Sequence, residues 1–282
     1  VVRKPNSALF LKIYGKVGQI EIVKGDITDS DSIEELIGEA ESVINCVAIF
    51  YETSGQNFKN IHVGAASQLA EKCKNVGVKQ LIHISSLGAN KRSESALLKT
   101  KGEGEEEVLK IFPAANIVRP SLIFGPEDDF FNRFARMAMI SPFIPSVGSS
   151  TKFQPVFVND VAKAVSYLVK NRSKKRYLDL GGHEVFLFTD LLKKLLFHIN
   201  KKRIIVKIPF FLAKIMAYIN DFLRLITGNL VPAFLTVAQV NSFKYNNICD
   251  DNVEKFEDIG IKPKGLDIVL PTYLNRFKRK VN

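Results

Sequence analysis

Residues 81–126 carry three informative runs: LIHISSLGAN (81–90), LLKTKGEGEEEVLKIF (97–112) and ANIVRPSLIFGP (115–126). Residues 80–85 form a short apolar run that reads as a buried strand ending in two hydroxyl side chains, Ser85 and Ser86. A helix is expected over about 95–111, carrying Lys101 inward, and a second strand then closes at Pro120-Ser121. Strand, crossover helix and strand in this order predict an α/β fold with a doubly wound parallel sheet. In such a sheet a ligand sits outside the carboxyl ends of the strands. Ser85, Lys101 and the Arg119-Pro120-Ser121 turn converge on that place.

The layout resembles the extended short-chain dehydrogenases: a strand ending in Ser, a helix with Tyr-x-x-x-Lys, then a strand ending in Pro. The resemblance implies a Rossmann-type sheet, and it implies that the Tyr transfers a proton while the Lys lowers its pKa and holds the nicotinamide ribose. Lys101 matches the Lys of that pair, and Leu97 stands at the Tyr position. An alkyl side chain does no acid–base chemistry, so the set is kept for binding and stripped for catalysis. Ser85 and Lys101 are then remnants of a Ser-Tyr-Lys set, and no catalytic residue is assigned. Glu103 and Glu105 to Glu107 read most simply as a solvated helix face.

Working back from this block, the sequence opens on Val1-Val2-Arg3, read as the end of a strand. In the resembled family the first strand and its Gly-x-x-Gly-x-x-Gly turn lie upstream, and none of the 17 glycines here has that spacing. The expectation is a sheet lacking its first strand and Gly-rich turn, in an N-terminally truncated sequence. Arg3 falls where NADP-preferring relatives contact the ribose 2′-phosphate; the alternative is a solvated arginine. Residues 19–24 alternate and read as a strand, followed by Asp26-Ile27, which the resemblance places at the adenine. Asp29 or Asp31 is expected to cap the helix that follows. Residues 42–47 form the next strand, ending Asn45-Cys46-Val47-Ala48, where Ala48 replaces the Gly of the family's Asn-x-x-Gly. His62, at a helix start, reads as a packed or capping histidine. The implied cofactor-binding set is Arg3, Asp26, Ile27, Asn45, Val47, Ala48, Ser85, Lys101, Pro120 and Ser121.

Toward the C-terminus the runs SLIFGPEDDFFNRFARMA (121–138) and FQPVFVNDVAKAV (153–165) narrow the resemblance. With Gly25-Asp26-Ile27, Ile82-His83-Ile84-Ser85 and Gly181-Gly182, they look like the short-chain-dehydrogenase-like accessory subunits of respiratory complex I and their bacterial relatives. Phe130, Phe131 and Phe134 read as core aromatics at helical spacing, and Asn159-Asp160 as a helix start. A last strand is expected at 177–180 and a helix at 188–199. Residues 204–237 are strongly apolar. Phe211, Ile215, Ile219 and Phe222 fall on one helical face, with Lys214, Asp221 and Arg224 on the other. The stretch 225–243 is too polar and broken for a transmembrane span. This organisation predicts an NAD(P)-binding domain over 1–182 and a small, mostly helical, basic and apolar domain over 183–282, with 126–150 contributing.

Composition bounds these readings. The 282 residues are 46% hydrophobic and 24% charged, enough for a full core. Three cysteines and four histidines lack metal-ligand spacing, so no metal is expected. The net charge of +11 is uneven. Residues 1–170 hold 20 basic against 19 acidic side chains, whereas residues 171–282 hold 20 against 10. The basic excess could meet anionic lipid headgroups, an acidic protein partner or nucleic acid, the last weakest because no motif accompanies it. The C-terminal part reads either as the small substrate-lid domain of extended members or as a surface lying on a membrane or a hydrophobic partner.

The resemblance implies an NAD(P)(H)-binding, non-catalytic accessory or assembly subunit of complex I, preferring NADP(H) to NAD(H). It would bind other complex I subunits and sit peripherally on the inner membrane, facing the mitochondrial matrix or the bacterial cytoplasm. The alternative is an active reductase, epimerase or isomerase acting on a quinone, isoprenoid or nucleotide sugar. A third reading, a lipid or quinone-biosynthesis scaffold without nucleotide, needs the protein to bind no NAD(P)(H).

Overall fold

The structure is a computed structural model that describes residues 1–53, 55–171, 175–227 and 235–278. Parts of the 225–243 stretch and of the basic tail lie outside the described residues, as does the Asp31 side chain. Three strands, β1 (Ser42–Asn45), β2 (Gln80–Ile84) and β3 (Asn116–Pro120), pair in parallel with an edge strand, Tyr177–Leu180. The helices in chain order are α1 (Ser30–Ile37), α2 (Ala66–Asn75), α3 (Ala96–Ile111), α4 (Phe130–Ile140), α5 (Val158–Asn171), α6 (Phe188–His198), α7 (Phe210–Ile226), α8 (Val237–Ser242) and α9 (Leu266–Leu274).

Side chains alternate across a strand, and both faces of this sheet are covered. Leu81 and Ile117 pack with Ile33, Ala66, Ala70, Cys73 and Val108 from α1, α2 and α3. Ile82, Val118, Leu178 and Leu180 pack with Val161, Ala164 and Leu168 from α5. This is the doubly wound α/β arrangement of a Rossmann-like fold. The expected aromatics sit in a third cluster, where Phe130, Phe131 and Phe134 meet Phe188, Leu192 and Leu270 of α6 and α9.

The strand expected over 19–24 is absent. A single parallel bridge joins Val2 to Lys24, with Val2 N–H donating to Val23 O at 2.8 Å and Gly25 N–H to Val2 O at 3.1 Å. A ladder needs successive partners, and here only Val2 supplies them. Residues Pro5–Tyr14 instead form a 3-10 helix.

α3 lies against a π-helical turn, Lys59–Ala65, at the entry to α2. Contact is so close that a Cβ on Gly104 would collide with the His62 carbonyl oxygen. Gly104→Ala is therefore expected to destabilise the fold by about 2–3 kcal/mol, read from the urea midpoint. An unchanged midpoint would mean that α3 can back away freely.

α7 is oriented against its own amphipathicity. Ala213 and Ala217 are fully buried, beside Val147 and Val240, and Arg224 is buried too. Phe211, Ile215, Tyr218, Ile219, Phe222 and Ile226 face solvent. Small alanines permit close packing on the inner side, and the Arg224 guanidinium lies 4.5 Å from the centre of the Tyr51 ring.

Candidate functional site

The carboxyl ends of β1 and β2 meet the first turns of α3. Ser85 continues the β2 ladder, its N–H donating to Val118 O at 2.7 Å, and Leu87 N–H donates to Pro120 O at 3.0 Å. This turn buries both hydroxyls. Neither Ser85 Oγ nor Ser86 Oγ meets a hydrogen-bond partner; burial raises the nearby Glu105 carboxyl, with Arg119 and then Ser85 opposing that shift. Lys101 reaches inward from α3 and donates from Nζ to Ser85 O at 3.2 Å. Burial pulls its pKa down to about 8, against the raising effect of Glu105 one turn on. Leu97, one turn earlier, is buried as well.

Asn45 organises the end of β1. Its Oδ1 accepts the Val47 N–H at 3.0 Å, and its Nδ2 lies 3.1 Å from His83 Nδ1. Ala48 and Ile49 follow, and the Ile49 N–H points to His62 Nε2 at 3.2 Å. That nitrogen is thus the acceptor, so Nδ1 carries the hydrogen toward Thr100 Oγ1, 3.0 Å away. Desolvation pulls His83 down to about 4 and His62 to about 3, with Lys101 adding to both effects. Both imidazoles are neutral packing groups. The Phe50 ring faces Lys101, with its centre 5.8 Å from Nζ.

The structure therefore brings together Asn45, Val47, Ala48, Ser85 and Lys101. Arg3, Asp26 and Ile27 form a second group. Asp26 Oδ1 accepts from Thr28 N–H at 3.0 Å and Thr28 Oγ1 at 2.8 Å, which, with Arg3 nearby, holds its carboxyl low. Ile27 packs partly under the α1–α2 cluster. Asp29 takes the N-cap position of α1 without a side-chain capping bond. Pro120 is buried where β3 ends. Ser121 turns away: its hydroxyl is 2.6 Å from Asn247 Oδ1, which also accepts the Leu122 N–H at 3.0 Å.

One reading of the sequence is corrected here. Glu105 is only 2% exposed, not part of a solvated face. Arg119 donates to it from Nε at 3.0 and 3.2 Å and from Nη2, and stacks over Tyr177 at 4.2 Å. Spacing held the clue, because Glu105 is one helical turn beyond the inward-facing Lys101. His83 was equally legible, two residues before Ser85 on the same strand face. The Tyr51–Arg224 contact joins distant parts of the chain and has no local signal.

A buried ammonium donor on Lys101 and an unpartnered buried Ser86 hydroxyl are groups that could hold a nucleotide ribose. No proton donor stands at position 97. Among the described residues no cluster of His, Cys, Asp or Glu is suited to a metal ion, and Cys46, Cys73 and Cys249 are free thiols.

Comparison with known proteins agrees with this geometry. A family model described as NAD(P)H-binding matches residues 1–116. The chain is 34% identical over 280 residues to the mitochondrial NADH dehydrogenase (ubiquinone) 1 alpha subcomplex subunit 9 of Arabidopsis thaliana, covering 97% of this chain and 70% of that protein. The Mus musculus protein of the same name is 31% identical, with 96% and 71% covered. A ceramide reductase of Caulobacter vibrioides is 28% identical over 144 residues, covering 51% of this chain and 45% of the reductase. Among solved structures, a UDP-glucose 4-epimerase of Thermotoga maritima superposes with a TM-score of 0.66 at 16% identity, over 93% of this chain and 87% of the epimerase, a likeness of fold alone.

Proposed function

The chain belongs to the family of mitochondrial NADH dehydrogenase (ubiquinone) 1 alpha subcomplex subunit 9, and from that premise we propose that it is an NAD(P)(H)-binding, non-catalytic accessory subunit of respiratory complex I. One observation carries the second half of this reading. Lys101 is buried and aimed at the Ser85 carbonyl, while the position that would hold a proton donor is the buried Leu97. The nucleotide, when bound, supplies a hydride-carrying ring, but this chain places no acid beside it. Bound nucleotide then acts as a structural ligand, stabilising the folded state by its binding free energy.

Two finer statements belong to the same proposal. Arg3, beside Asp26, favours NADP(H) over NAD(H) through the 2′-phosphate. Attachment is peripheral, on an anionic inner-membrane surface facing the matrix or the bacterial cytoplasm. Supporting it are the outward apolar face of α7 and the basic surplus of the last third. No helix among the described residues is long and apolar enough to cross a membrane.

The test is the nucleotide content of the complete protein purified from its own membranes, with co-purifying proteins identified from the same sample. NADPH, respiratory-complex subunits and no NAD(P)H oxidation are expected. Lys101→Ala should weaken NADPH binding roughly tenfold, the worth of one charge-assisted hydrogen bond, and Arg3→Ala should weaken NADPH but not NADH, both by calorimetry. A free protein that oxidises NAD(P)H with a small substrate, and loses that turnover on Lys101→Ala, would replace this reading with the active-enzyme alternative.

A further inference from the structure

We propose that a cavity beside the edge strand, apart from the nucleotide site, binds a small hydroxylated anion of the sugar-phosphate class. It lies where the turn after β2 and residues 245–250 meet Arg119 of β3 and Asp179 of the edge strand. Its volume is about 540 Å³, within the range of small-molecule sites. Asn45, Ser85 and Lys101 do not line it. β2 and β3 stand between it and β1, so a strand or turn added on the β1 side of the sheet would not reach it.

Asp179 supplies the first observation. It is 2% exposed, and its Oδ2 accepts the Asp250 N–H at 3.1 Å, while Oδ1 is buried without a hydrogen-bond partner. A buried carboxylate oxygen left unmet is costly, so a donor belongs there. Arg119, its neighbour across the strands, is committed to Glu105 instead.

The rim supplies the second. Asn90 Oδ1 accepts the Arg92 N–H at 2.8 Å, Ser93 Oγ accepts the Ser95 N–H at 3.2 Å and Tyr245 Oη accepts the Glu94 N–H at 3.1 Å. Asn246 Oδ1 likewise accepts the Lys152 N–H at 3.0 Å. Each of these side chains spends its acceptor on the backbone and keeps its own hydrogens to donate. The exposed Arg92 guanidinium has no partner among the described residues.

The two halves ask for different groups. The rim offers hydrogens and one unpaired positive charge, which suit an oxyanion; the floor offers a lone carboxylate oxygen, which suits a hydroxyl. A sugar phosphate carries both. Bare phosphate answers the rim alone, and a neutral sugar leaves Arg92 without a counter-charge. An ammonium could also meet Asp179, but Arg119 already favours that carboxylate's charge from nearby and opposes a second cation beside it.

Melting and calorimetry of the complete protein in saturating NADPH test this, with glucose 6-phosphate, glucose and inorganic phosphate as probes. Glucose 6-phosphate is expected to raise the melting temperature and to bind more tightly than either other probe. Arg92→Gln should weaken it roughly tenfold, the loss of one charge-assisted hydrogen bond. The melting temperature without ligand should stay unchanged, because the side chain is exposed. Asp179→Asn, which keeps an acceptor for the Asp250 N–H, should weaken glucose 6-phosphate but not inorganic phosphate.

No binding of glucose 6-phosphate at about 10 mM, below the millimolar limit of weak recognition, would overturn the inference and leave the Asp179 oxygen to water. Inorganic phosphate binding as tightly as glucose 6-phosphate would overturn it too, since no hydroxyl would then be read. Binding that ignores Arg92→Gln, or that NADPH abolishes, would put the ligand elsewhere and overturn the site. A protein that takes up no NADPH would overturn the proposed function without touching this inference, whose variants lie outside the nucleotide site.

Discussion

His83→Gln is expected to remove about 2 kcal/mol of the stability that the protein loses between pH 7 and pH 5. His83 is buried and its pKa lies at about 4 in the fold, against an ordinary value of 6.5. A depressed pKa means that the folded state favours the neutral ring. Above pH 6.5 both states are neutral and nothing is lost. As pH falls below 6.5 the unfolded chain takes up a proton that the fold refuses until about pH 4, so stability drops through that window at about 1.4 kcal/mol per pH unit.

His62, at about 3, behaves alike, and the two together make the fold about 4 kcal/mol weaker at pH 5 than at pH 7 on this account. Glu105 and Asp179, both raised by burial, act in the opposite sense. For that reason the measurement is the difference between the wild-type and His83→Gln urea midpoints at each pH, not the wild-type curve alone. Parallel curves for the two proteins would show that His83 titrates normally and that the strand end is wetter than the structure has it.

Arg119→Ala is expected to cost about 3–5 kcal/mol, the range for removing one partner of a buried ion pair. Glu105 is enclosed between α3 and the sheet, and Arg119 is its two-pronged partner. Without the guanidinium the carboxylate is left buried, with Lys101 as a cation that still favours its charge. It must then take up a proton or open the helix to water. Arg119→Ala combined with Glu105→Gln should recover part of the loss, because a neutral amide tolerates the site better than an unpaired charge. A double-mutant cycle in urea reads both numbers. A cost below about 1 kcal/mol for Arg119→Ala would place the pair with ordinary surface salt bridges and remove Glu105 from the account of why Lys101 keeps its charge.

The same pair ties stability to the site. Lys101, Glu105 and Arg119 run in alternating charge from the β2 end of α3 toward the edge strand, with Asp179 next beyond Arg119. Removing Glu105 lowers the charged fraction of Lys101 at neutral pH, since burial already brings its pKa near 8 and Glu105 is what raises it. If Lys101 holds the nucleotide as proposed, affinity and fold stability share residues, and a variant of either kind calls for both measurements.

Much of the sheet and its site was legible along the chain. Residues 80–120 announced strand, helix and strand because apolar runs, helical spacing and Pro120 are local signals, and the structure has β2, α3 and β3 there. Ser85 and Lys101 read as converging with the Arg119-Pro120-Ser121 turn because strand ends in a parallel sheet share one side, and Lys101 does reach the Ser85 carbonyl. Ser121 does not join them: its hydroxyl goes to Asn247, 126 residues on, and no local pattern foretells such a partner.

The sequence by itself determined which residues share a face and which elements alternate. Only the tertiary structure decided which face is covered. α7 shows why. Its periodicity correctly separates an aromatic and aliphatic stripe from a polar one, yet Ala213, Ala217 and Arg224 lie inward while Phe211, Ile215, Ile219 and Phe222 lie outward. Periodicity is a property of a single helix. Burial depends on what meets that helix, and here close approach through small alanines and a guanidinium on Tyr51 outweigh the pull of the larger apolar stripe. Glu105 follows the same rule in reverse: a charge that looks solvated in a Glu-rich run is enclosed because a cation from a neighbouring strand stands opposite it.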